Sequence, residues 1–106
     1  MSDNFKDREK GFENKFAHDA ELQFKVEARR NRLLGEWAGG LLGKTGDDLK
    51  AYATEVVKSD FEEAGDEDVF RKVSGDLSGK ATEAEIRSKM IDLKDTAKEQ
   101  VMNEIS

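Results

Sequence analysis

The chain of 106 residues has no cysteine and no proline, and only one histidine. Without cysteine there can be no disulfide, no thiol nucleophile and no zinc finger built on thiolates, and the redox compartment stays open. Without proline, no position is barred from helix by ring geometry and nothing imposes a cis turn, so an all-α chain is the leading expectation. No apolar run approaches the 18 or so residues a membrane span needs, and the N-terminus is charged where a secretory signal would be apolar. A soluble, cytoplasmic protein without direct membrane insertion is expected. The excess of 24 acidic over 18 basic side chains argues against a nucleic-acid partner, whose binding would rest on neutralising phosphates.

What is present is charge arranged for helices. Charged residues reach 40% against 36% hydrophobic, a balance that suits amphipathic helices sharing one modest core. From Phe16 to Leu42 the apolar positions Phe16, Ala20, Phe24, Leu33, Leu34, Trp37, Ala38, Leu41 and Leu42 follow helical spacing, with a polar stretch at Lys25, Arg29 and Arg32. Gly43 and Gly46 mark its end, and a second helix starts near Asp47. Its stripe of Leu49, Tyr52, Ala53, Val56, Val57, Phe61 and Ala64 closes at Gly65. Asp66 then offers an N-cap to a short third helix carrying Val69, Phe70, Val73 and Leu77, which Gly75 and Gly79 weaken and end. Thr82 and Glu85 stand in capping-box spacing ahead of a fourth stripe, Ile86, Met90, Leu93, Ala97, Val101 and Ile105.

Four such helices with short glycine-containing connections predict an antiparallel four-helix bundle over residues 16–106, monomeric when free. Residues 1–15 read differently. The stretch from Met1 to Phe12 mixes charges of both signs with only Phe5 and Phe12 as large apolar anchors, which predicts a mobile N-terminal segment that orders on meeting a partner.

Three constellations invite a chemical reading. Ala38-Gly39-Gly40-Leu41-Leu42-Gly43-Lys44-Thr45 resembles a phosphate-binding loop with alanine at the first glycine. Such a loop works between a buried strand and a helix N-terminus, whereas here a helix precedes it, so a catalytic site is not expected. The lone His18 lacks the oriented partners of a nucleophilic triad, and no second histidine offers zinc-ligand spacing, so a helix-surface or contact histidine is the plainer reading. Asp60, Glu62, Glu63, Asp66, Glu67 and Asp68 crowd carboxylates around one turn but miss the calcium-loop pattern; acids at a helix N-terminus favour its dipole. No metal, cofactor or catalytic residue is expected. Lys25, Arg29 and Arg32 share one face, in a stretch from Glu21 to Gly46 with five basic and three acidic side chains, and form a candidate docking strip for an acidic partner.

Longer strings carry a family resemblance. Asp7-Arg8-Glu9-Lys10, Phe12-Glu13, Lys15-Phe16-Ala17-His18-Asp19-Ala20-Glu21-Leu22-Gln23-Phe24, Glu27-Ala28-Arg29-Arg30-Asn31-Arg32-Leu33-Leu34-Gly35 and Trp37-Ala38 resemble the zeta subunit, the ATPase inhibitor of alphaproteobacterial F-type ATP synthases. The likeness continues at Glu55-Val56-Val57-Lys58 and Asp60-Phe61-Glu62-Glu63-Ala64-Gly65-Asp66. It implies a four-helix bundle whose N-terminal segment enters the catalytic sector between the alpha and beta subunits beside the gamma shaft. There the segment becomes helical and wedges against hydrolytic rotation. The matching positions are Phe5, Asp7, Arg8, Glu9, Phe12, Phe16 and His18, and the implied location is peripheral to the inner membrane through the ATP synthase. Two other classes stay open: an adaptor subunit of the same complex that does not inhibit, and a small helical protein that binds nucleotide at Lys44.

Overall fold

A computed structural model describes residues 20–60 and 66–105. Among them lie four helices, α1 (Ala20–Leu41), α2 (Gly46–Ser59), α3 (Glu67–Asp76) and α4 (Glu83–Ile105), and no strand. The expected all-α four-helix bundle is the observed architecture. The long helices α1 and α4 run antiparallel: Arg29 bonds Gln100 near one end, while Lys89 lies over the Trp37 ring near the other. The shorter α2 and α3 cover the C-terminal half of α1.

α1 and α2 approach closely because α1 presents glycine at the crossing. A Cβ added at Gly35 would sit 2.6 Å from Ala53 Cα, and one at Gly39 would sit 2.5 Å from Leu49 Cδ1. Neither glycine serves a turn: Gly35 lets the two backbones meet, and Gly39 makes room for the Leu49 and Tyr52 side chains. Most helix ends follow the expected signals. Thr82 Oγ1 accepts the Glu85 N–H at 3.1 Å and Glu85 Oε1 accepts the Thr82 N–H at 3.2 Å, a complete capping box. The second helix stops at Ser59, earlier than the stripe through Ala64 suggested, with Asp60 as its C-cap; Phe61 to Gly65 lie outside the described residues.

The core-facing stripe of α1 differs from the expected one. Leu22, Val26, Arg30, Asn31, Leu34 and Ala38 are buried, whereas Phe24 is 56% exposed and Leu41 42%. At about 100° per residue, Phe24 stands nearly opposite both Leu22 and Val26, so the face that buries those two must turn Phe24 outward. Arg30 and Asn31, in the middle of what reads as a solvated stretch, lie inside.

They form a polar layer that divides the core. On one side, Leu22, Val26, Ala97 and Val101 join α1 to α4 alone. On the other, Leu34, Ala38, Tyr52, Val56, Val69, Phe70, Val73, Leu77, Ile86 and Met90 draw on all four helices. Within the layer, Arg30 Nε donates to Asn31 Oδ1 at 2.7 Å and Arg30 Nη2 to Asp66 Oδ1 at 2.7 Å. Asp66 therefore occupies the N-cap position of α3 without capping it: its carboxylate accepts no helix N–H and is turned to the guanidinium instead. That hydrogen bond holds the Asp66 carboxyl below its ordinary pKa, against the opposing effect of partial burial. Asp60 is pushed the other way by burial, which outweighs the attraction of Arg30 and the nearby Asn31 amide; that amide stops short of a formed bond, and Asn31 Nδ2 has no partner among the described residues.

Two more members of the acidic run are paired rather than left to the helix dipole alone. Asp68 bonds Arg71, and Glu67 meets Arg87, whose guanidinium lies 3.8 Å from the centre of the Phe70 ring. Glu62 and Glu63 lie outside the described residues.

Two predictions follow from these contacts. Gly35→Ala should destabilise the bundle by about 1–3 kcal/mol by forcing α1 from Ala53. Gly40→Ala, where nothing lies within 4 Å, should instead stabilise it by about 0.5–1 kcal/mol through helix propensity; urea denaturation of the pair checks both signs. The carboxylates should separate by pH. A lowered pKa at Asp66 adds stability above the unfolded value of about 3.9 and loses it as pH falls through the lower folded value. Asp66→Asn should therefore melt below the parent at pH 7, with the gap closing in acid. The raised pKa at Asp60 costs stability once pH rises through the folded value, so Asp60→Asn should melt above the parent at pH 7 and match it below about pH 3.9. Thermal melts across pH 3–8 would expose any reversal of either order.

Candidate functional site

A groove of about 600 Å³ lies between α1 and α2, with Glu104 of α4 also lining it. Lys25, Arg29 and Arg32, the basic face expected from sequence, all line it. On α1 they come with Phe24, Ala28 and Glu36, and the six positions together follow the three-and-four spacing of one side of the helix. On α2, Lys50, Ala53, Thr54 and Val57 supply the opposite wall at i, i+3, i+4 and i+7. The floor is thus apolar and the rim mostly cationic.

The cations are not equivalent. Arg29 is used inside the fold: its guanidinium donates to Gln100 Oε1 at 2.9 Å and pairs with Glu104, so it fastens α1 to α4. Arg32 is 64% exposed and reaches Glu36 only at 3.8 Å. Lys25 and Lys50 are exposed, and neither forms an ion pair with another described residue. Lys50 and the apolar floor are functional candidates that the sequence reading missed. The sequence showed Ala53 and Val57 only as part of the core stripe of α2; their meeting with α1 places them, with Lys50 and Thr54, along a groove.

The phosphate-loop-like stretch has a different job. Ala38 to Leu41 are the last turn of α1, and Gly43 adopts φ +80°. The Gly43 N–H donates to Gly40 O at 3.1 Å and the Lys44 N–H to Gly39 O at 2.9 Å. Those are the two bonds of a Schellman C-cap, which turn the loop amides back onto helix carbonyls where a phosphate cradle would aim them outward.

A smaller polar hollow of about 450 Å³ adjoins it, lined by Leu42, Lys44, Tyr52, Glu55, Lys72 and Asp76. The Tyr52 hydroxyl donates to Asp76 Oδ2 at 2.8 Å, and Lys72 Nζ reaches the same oxygen at 3.2 Å. Burial first, and then that bond, push the Tyr52 pKa well up, so the phenol stays a donor. Two lysines facing two carboxylates leave no net charge for an anion, and the cluster reads as a clasp tying α3 to α2.

The remaining expected site residues, Phe5, Asp7, Arg8, Glu9, Phe12, Phe16 and His18, lie outside the described residues. Among the described ones, no helix is long and apolar enough to cross a membrane.

Comparison with known proteins agrees with this architecture. One of four matching solved chains, a solution NMR structure, is 61% identical, superposes with a TM-score of 0.73, and covers 78% of this chain and 98% of its own. No curated protein matches. The family model for ATPase inhibitor subunit zeta matches residues 1–100, so the match takes in the N-terminal segment as well as the bundle. Helix order, core and sequence thus converge: this chain belongs to the ATPase inhibitor subunit zeta family.

Proposed function

We propose that this protein inhibits ATP hydrolysis by an F-type ATP synthase and is itself no enzyme. The observation that carries the reading is the family match beginning at residue 1, which includes the stretch holding Phe5, Asp7, Arg8, Glu9, Phe12, Phe16 and His18. In this reading residues 1–15 enter the catalytic sector between the alpha and beta subunits beside gamma, fold to a helix there and block reverse rotation. The phenylalanines supply the buried area, and the alternating charges set register in a polar cleft. A segment that orders only as it binds loses entropy at that moment, which keeps the inhibition reversible.

The bundle then acts as the carrier. Its buried residues from Leu22 to Val101 make two clusters of their own, and the basic face at Lys25, Arg29 and Arg32 offers a second contact to the complex. Through that contact the protein is peripheral to the membrane. The nucleotide-binding alternative is disfavoured by the Schellman bonds at Gly43 and Lys44, which use the amides it would need.

Deleting residues 1–15 should abolish inhibition of the cognate ATPase while the thermal midpoint of the bundle stays unchanged. Replacing Phe5 and Phe12 by Ala should each weaken inhibition by more than about 1 kcal/mol, read from titrations of hydrolysis rate. Full inhibition by the truncated chain would remove the wedge. Lys44→Ala should leave inhibition intact; a loss of inhibition on that change would revive the nucleotide reading.

A further inference from the structure

The groove between α1 and α2 has the form of a seat for a helix. Its wall on α1 runs from Phe24 to Glu36, about 18 Å or three turns at the ordinary helical rise. Two antiparallel helices bound it, and Ala28 and Ala53 keep its floor low between the larger Phe24 and Val57. An extended peptide laid there would find no backbone donors or acceptors to pair with, because both walls are helices whose amides are already bonded. A helix satisfies its own backbone and needs only one apolar face, so it suits this surface.

Charge selects among the possible helices. In a protein of net charge −6, Lys25, Arg32 and Lys50 gather on this rim, with only Arg32 near a carboxylate and that at 3.8 Å. A helix with an apolar face and acidic edges is complementary to it. The chain's own residues 1–19 are a poor match, since Asp3, Asp7, Glu9, Glu13 and Asp19 are offset by Lys6, Arg8, Lys10 and Lys15. A second copy meeting the first about a two-fold axis would bring its own cationic rim to the same place.

We propose that this groove docks an acidic amphipathic helix of the ATPase catalytic sector, with Phe24 and Val57 as apolar anchors and Lys25, Arg32 and Lys50 as the steering rim. The inference rests on the inhibitor reading above and specifies its second contact: the groove as the place, and an acidic amphipathic helix as what occupies it. Docking there would hold the protein on the complex and raise the effective concentration of the N-terminal segment at its own site. Of the basic face proposed above, Arg29 is already bonded to Gln100 and Glu104 of α4, so the contact narrows to Lys25 and Arg32, joined by Lys50.

The test uses the full chain against the immobilised catalytic sector of the cognate ATPase, with association, dissociation and hydrolysis measured on the same preparations. Lys25→Glu, Arg32→Glu and Lys50→Glu combined should slow association about tenfold at low salt and flatten its salt dependence. Phe24→Ala should speed dissociation by about tenfold, with little change in association. The triple variant should keep the parent's thermal midpoint, because Lys25, Arg32 and Lys50 are exposed, and each variant should stay folded at the assay temperature and still inhibit fully at saturating concentration. Unchanged kinetics in both variants, with the parent binding and inhibiting, would overturn the groove while leaving the inhibitor reading intact. Faster or stronger inhibition by the variants would also overturn it, by showing that the N-terminal segment had occupied the groove. Failure of the parent chain to bind the sector would remove both.

Discussion

The buried guanidinium of Arg30 is the constraint around which the bundle is arranged. A charge that is 3% exposed is tolerable only with a carboxylate and further acceptors in place, and Asp66 and Asn31 provide them. Asp66 comes from the start of α3, so satisfying Arg30 brings that helix to the middle of α1. The layer also explains why the core has two parts: apolar packing cannot pass through it, and α2 and α3 cover only the side beyond it. An arginine at this height ties the rotation of α1 to the position of α3, because a slip of one residue would leave the charge without its partner.

That rotation in turn creates the outer surface. Once Leu22, Val26, Arg30 and Leu34 face inward, Phe24, Lys25, Ala28 and Arg32 are carried to the side bordering α2. The close approach at Gly35 and Ala53 then brings α2 near enough for Lys50 and Val57 to become the far wall. The groove is therefore a by-product of two features of the interior, a buried charge and a glycine contact. Neither belongs to the surface whose shape they set.

The loops and helix ends are used in the same economical way. The helices use their loops for their own ends: the Gly43 turn caps α1, Thr82 and Glu85 start α4, and the Tyr52 hydroxyl holds Asp76. Each of these groups is thus engaged in holding a helix end or joining two helices. Phe24, Leu41, Ile91 and Ile105 are the exposed large apolar side chains among the described residues, and of these only Phe24 lines the groove.

Much of this was legible in the residues taken one after another. Helix number, the glycine stop at Gly43, the capping box at Thr82, the stripe of α3 and that of α4 up to Val101 are local properties, decided by periodicity and by hydrogen bonds between near neighbours; Ile105, expected to continue the α4 stripe, is exposed. The family likeness was also carried by contiguous strings, above all Asp7 to Ala38. What needed the tertiary structure was everything set by contacts distant in sequence. Arg30 looked like one more solvated cation beside Arg29 and Arg32, and Asp66 like an ordinary N-cap, until the two met across 36 positions. Phe24 looked like core, because spacing alone cannot say which of two faces a helix will bury. That choice is made by the partners it packs against, and those partners also made Lys50 a neighbour of Arg32.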